Sequence, residues 1–192
     1  MIPDYRLSTT NIDGDFVERE KYSSNDSISY EWGGIAINDA SEGLMCKVWI
    51  ATIDASGASI NIISDTETLN DFYTGTNITS VSLAFDRNMN PAVSFIENST
   101  SKLKWYDAEV GGYTVTTLDS NVVSTRLSMD DKRFLQSASS DIILGYIKSG
   151  ALYFRAQRDR FSVEYLLKDN LGNTKLLEIG MGDGLRFLFQ LV

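Results

Sequence analysis

The feature that most restricts this chain is its resemblance to itself. SVSLAFD at 80–86 matches STRLSMD at 124–130, placing Leu83 over Leu127 and Asp86 over Asp130 at an offset of 44 residues. AVSFIEN (92–98) then lies over ILGYIKS (143–149), KLKWYDA (102–108) over ALYFRAQ (151–157), and YTVTTL (113–118) over FSVEYL (161–166). A weaker earlier copy runs from GGIAIND (33–39) through MCKVWIATID (45–54) to SINIIS (59–64), its fourth piece unassigned. Each period holds four strand-sized pieces in roughly 45 residues, the size of a propeller blade, and such a blade needs neighbours to cover its faces.

The pieces are rich in Val, Ile, Thr, Tyr, Phe and Trp and are separated by Gly, Asn, Asp and Ser, the pattern of antiparallel strands and tight turns. The expected fold is therefore all-β, with antiparallel blade-like repeats arranged as a partial β-propeller or a β-sandwich. Residues 1–29 are polar without a sustained apolar period and are expected to form an extended N-terminal arm. Residues 30–192 form the all-β domain, with repeats near 33–64, 80–118 and 124–167 and a C-terminal hairpin at 174–192. The best helical stretch, DTETLNDFY at 65–73, is short and carries Thr66 and Thr68, so a loop or single turn is expected there. Three blades are fewer than the roughly four to eight of a closed single-chain ring, which favours an oligomer; a single compact β-sandwich is the alternative.

Composition removes much chemistry. Seventeen Lys and Arg against twenty-six Asp and Glu give a net charge of −9, which disfavours nucleic acid and anionic membranes as partners. With one cysteine, Cys46, and no histidine, the chain cannot build an intrachain disulfide, a Ser-His-Asp triad, a Cys-His dyad or a Cys-rich zinc site. No run approaches the roughly 18 apolar residues of a membrane helix, and no signal peptide is visible, so synthesis in a cytoplasm is expected.

Individual residues point to structure more than to catalysis. Asp86 and Asp130 share a strand-end position; as a carboxylate pair they would suit glycoside hydrolysis, and as turn residues they would bond the following backbone. The sialidase-type repeat, with Ser and Asp before Gly, Thr and Trp, is not matched. Asp13 and Asp15, or Asp39 and Glu42, lack the ligand pattern of an EF-hand and are read as solvated turns. Trp49, Trp105, Tyr106, Tyr153 and Phe154 lie inside strands, where aromatics fill sheet-to-sheet cores. Trp32 and Tyr73 are the candidates for an exposed sugar platform. Arg155, Arg158 and Arg160 form a small basic cluster, expected on a solvated or interfacial hairpin. GMGDG at 180–184 precedes a strand where a phosphate loop would precede a helix, and is assigned to the hairpin turn. No catalytic, cofactor or metal residue is assigned, and no cofactor is expected.

The repeat SLAFDRNMNPAVSFIENSTSKLKWYD and the ending LLEIGMGDGLRFLFQL resemble propeller-like repeats of bacteriophage virion proteins, especially tail components, over roughly residues 80–192. The resemblance implies a structural subunit of a tail, connector or surface decoration, made in the host cytoplasm and located in the virion. Its partners would be further copies of itself and other virion proteins. The alternatives are a module binding host-surface glycans and a carboxylate-based glycoside hydrolase.

Overall fold

The computed structural model describes residues 5–10, 16–22, 36, 37, 46, 47, 49–64, 68–86, 88, 90–129, 142–181 and 187–192. The fold is all-β, and among these residues the only helical element is a single 3-10 turn at Gln157–Asp159.

The second and third repeats each form a four-stranded antiparallel meander. In the second sheet, β8 (Ile78–Phe85), β9 (Pro91–Glu97), β10 (Thr100–Asp107) and β11 (Gly112–Ser120) pair in chain order. In the third, β12 (Val122–Met129), β13 (Ile142–Lys148), β14 (Ala151–Ala156) and β15 (Tyr165–Lys168) do the same. The turn between second and third strands is equivalent in both. Asn98 and Ser99 have φ of 48° and 63°, and Ser149 and Gly150 have 52° and 73°, each pair closing a two-residue hairpin of the type whose twist matches its strands.

The first sheet contains β5 (Trp49–Ile53), β6 (Ser59–Ser64) and β7 (Thr68–Thr74). Ahead of it, β3 (Ala36–Ile37) pairs with β4 (Cys46–Lys47) as a separate two-stranded sheet, and one residue separates β4 from β5; taken as one interrupted strand, β4 and β5 give the first repeat the same succession of four places. The stretch expected to be a loop or single turn is instead largely strand β7. Its β-branched and aromatic residues Thr68, Phe72, Tyr73 and Thr74 suit an outer strand, where Phe72 alone is buried.

Two hairpins complete the described strands. β16 (Leu176–Met181) pairs with β17 (Phe187–Leu191), so Met181, expected in the turn, is the last residue of β16 and sits opposite Phe187. Within the segment expected as an extended arm, β1 (Tyr5–Thr10) pairs with β2 (Phe16–Tyr22).

The second sheet, the third sheet and the C-terminal hairpin associate through their leading strands, and the first repeat meets β8 through its second strand, β5. β8 packs against β5 on one side and β12 on the other, and β12 packs in turn against β16. This burial explains the sequence of the inner strands: all seven residues of β9 and six of seven in β13 are buried, because neighbouring sheets cover both faces. Further out, β10 alternates between half-buried and buried positions. Among the described residues, three apolar clusters fill the spaces between sheets. They centre on Ile60, Leu83 and Phe95, on Leu103, Trp105, Leu144 and Tyr146, and on Ile147, Leu152, Leu176 and Ile179.

Candidate functional site

Among the described residues, the concentrated polar chemistry lies in the seams between sheets. At the seam of the second and third sheets, β11 supplies Asp119, β13 supplies Tyr146 and Lys148, β14 supplies Arg155, and the loop before β15 supplies Glu164. Lys148 Nζ lies 3.1 Å from Asp119 Oδ1 and 2.8 Å from Glu164 Oε2. Arg155 Nη2 lies 3.1 Å from Asp119 Oδ2, its Nε donates to the Tyr146 hydroxyl at 2.9 Å, and its Nη1 donates to the Phe161 carbonyl at 2.8 Å. The Tyr146 hydroxyl donates to Glu164, with Asp119 Oδ2 3.3 Å away.

Two cations and two carboxylates balance, and each charged group is also hydrogen-bonded, the condition under which charges tolerate partial burial. Burial opposes ionisation of Glu164, but hydrogen bonds from Lys148 and Tyr146 outweigh it and hold the carboxyl down at about 2. Burial pushes the Tyr146 phenol far above its usual range. Tyr146 is fully buried, so its hydroxyl is neither ionised nor within reach of a substrate. The cluster is built to hold two sheets in register.

The seam of the first and second sheets repeats the design with different residues. Glu97, the counterpart of Lys148, accepts from the Thr76 amide at 2.8 Å and the Tyr73 hydroxyl at 3.0 Å, and pairs with Lys102. Tyr73 also lays its ring on Phe95, with centroids 4.3 Å apart. It is therefore a joint between sheets, and its ring is not a free sugar platform. Beside it, Lys104 donates to the Phe72 carbonyl and sits 4.7 Å from the Phe72 ring centroid, where burial lowers its pKa.

The candidates from sequence fall into place around these seams. Asp86 is buried and bonds its own turn: Oδ1 accepts from the amides of Asn88 at 2.8 Å and Asn90 at 2.9 Å, and Oδ2 accepts from Asn90 Nδ2 at 2.9 Å. Asp130, Asp13, Asp15, Asp39, Glu42 and Trp32 lie outside the described residues, as do positions 182–184 of the GMGDG segment. The basic cluster divides. Arg155 enters the seam above, while Arg160, in a left-handed conformation with φ of 51°, pairs with the buried Asp107 and with Glu109 of the second sheet. Trp49 and Trp105 are buried, and Trp105 Nε1 donates to Thr116 Oγ1 at 3.0 Å while its ring meets Phe161 edge-on at 5.1 Å. Tyr106, Tyr153 and Phe154 are half-buried.

An open groove forms where three turns converge, lined by Asn121 and Val123, by Ser149 and Gly150, and by Asn170, Gly172, Asn173 and Lys175. Its lining contains neither a carboxylate nor an aromatic ring, so it offers no acid-base pair and no stacking surface for a sugar. Among the described residues no group of three His, Cys, Asp or Glu side chains is placed to hold a metal ion.

No family model matches the chain, and no curated protein or solved structure is significantly similar to it.

Proposed function

We propose that this protein is a non-enzymatic structural subunit that works through interfaces formed by its sheets. One observation carries the reading: the charged clusters are engaged in joining one sheet to the next, whereas apolar surface stays open at the outer end of the third sheet. There Val163, Tyr165, Leu166 and Leu167 are 42, 40, 57 and 42% exposed in consecutive or near-consecutive positions. Apolar surface gathered on an outer strand is suited to association with another chain. A phage particle, through a tail, connector or surface decoration, is the assembly to which the style of the repeats leads.

Light scattering of the purified protein over a wide concentration range tests this reading. A defined oligomer is expected. A monomer at every concentration would overturn it.

A further inference from the structure

The two-stranded sheets β1-β2 and β16-β17 lie at opposite ends of the strand order, and they lack complementary halves. In the second and third sheets, first to fourth strands follow in chain order. β16 holds a first place, because it follows the outer strand β15 and packs on β12 as β12 packs on β8. β17 then holds a second place, and its far edge is where a third strand would bond. β1 and β2 stand the other way round. They precede β3, the opening strand of the first repeat, as β7 precedes β8 and β11 precedes β12, so they hold third and fourth places. Antiparallel pairing of β17 with β1 gives the order β16-β17-β1-β2, the order of the complete sheets.

The neighbouring face shows the same shortage. Gly145 and Phe154 are paired across β13 and β14, and Phe154 is paired with Tyr165 across β14 and β15, so the three share one face of the third sheet. At Gly145 that face is filled by β16 and β17: a Cβ there would come 2.6 Å from Ile179 Cδ1 and 3.0 Å from Phe189 Cε1. Further out, where only two strands are present to cover it, Phe154 is half-buried and its stacked partner Tyr165 is 40% exposed. In the second sheet Trp105 holds the place of Phe154, and there the third sheet covers it to 4% exposure. The uncovered area is the footprint of a third and fourth strand. By sequence, β1 alternates Tyr5, Leu7 and Thr9 with Arg6, Ser8 and Thr10, one more apolar set and one more polar.

Building on the reading of the chain as an assembling subunit, we propose that β17 accepts β1 from a second copy of this chain, whose β1–β2 hairpin completes the sheet and covers Phe154 and Tyr165. A second copy is the occupant because within one chain the two hairpins are separate two-stranded sheets. Reciprocal exchange makes two identical junctions about a twofold axis. The pair then carries three repeats from each chain, two of them four-stranded sheets, and two shared sheets, eight in all.

The test uses the full chain with Cys46→Ser, Ser8→Cys and Gln190→Cys. Unlabelled and nitrogen-15-labelled protein are mixed in denaturant, refolded together, treated with a short flexible bismaleimide, and digested for mass spectrometry. The expected product joins positions 8 and 190, with mixed-isotope links as abundant as both single-isotope kinds together. Links confined to single-isotope species would overturn the proposal, because the chain would be filling its own gap. An oligomer without links between 8 and 190 would overturn the junction but leave the assembling subunit intact, whereas a monomer without them would overturn both. Deletion of residues 1–22 provides a second arm: retained sheet content with loss of the oligomer is expected, and an unchanged oligomer would contradict the proposal.

Discussion

Ser82 Oγ accepts a hydrogen bond from the Leu127 amide at 2.8 Å, joining the first strands of two successive sheets at buried positions. Ser124 does the same one sheet further on, accepting from the Leu176 amide at 2.9 Å. First strands of separate sheets do not share a ladder, so their inward amides need acceptors from side chains, and a small hydroxyl residue provides one without holding the strands apart.

Replacing Ser82 with Ala leaves the Leu127 amide buried without that acceptor. Such a loss costs about 1–3 kcal/mol. Urea unfolding of Ser82→Ala at the same protein concentration as the wild type should show a lower midpoint with an unchanged slope.

The turn after β9 offers a substitution in the opposite direction. Ser99 adopts φ of 63°, a left-handed conformation that costs a non-glycine residue about 1–2 kcal/mol, and its counterpart in the next repeat is Gly150. Ser99→Gly should relieve part of that strain, less the entropy that glycine adds to the unfolded chain, for a net gain of up to about 1 kcal/mol. The thermal midpoint should rise.

Gly145 lets the C-terminal hairpin approach the third sheet. In Gly145→Ala the new methyl would meet Ile179, Phe189 and Leu176 together, and overpacking of this kind costs about 1–3 kcal/mol. Hydrogen exchange should accelerate across β16 and β17 and remain close to wild type in the first sheet.

The seam around Tyr146 sets a dependence on acid. The Glu164 carboxyl sits at about 2 in the folded protein, below the ordinary value of 4.5, so its contribution is complete above about pH 4.5 and fades as the pH falls toward 2. Glu97 and Asp107 shift in the same direction. Stability measured by denaturant titration should therefore drop through this window, and Glu164→Gln should flatten part of the drop while lowering stability at neutral pH.

The sheet class was legible because the inner strands β9 and β13 are apolar through most of their length and are bounded by turn residues such as Asn98, Ser99, Ser149 and Gly150. Strand β7 was hidden because an outer strand buries little: Asp71 and Asn70 sit in it at no cost in desolvation, and the stretch then looks like a loop. The polar seams were hidden for another reason. Glu97 and Lys148 occupy equivalent positions with opposite charge, and their partners, Tyr73 and Asp119, come from the preceding repeat. Comparison of one repeat with the next aligns the positions but says nothing of which side chains meet across the boundary. Asp86, by contrast, bonds amides two and four residues away, a relation short enough to be seen in the sequence itself.

Single-particle imaging of the native assembly tests the exchange of half-sheets most directly. A closed twofold ring of eight sheets, with β8, β12 and β16 toward its axis and a shared sheet at each junction, is the predicted result. Separate single chains, each with its own β1 bonded to its own β17, would contradict it.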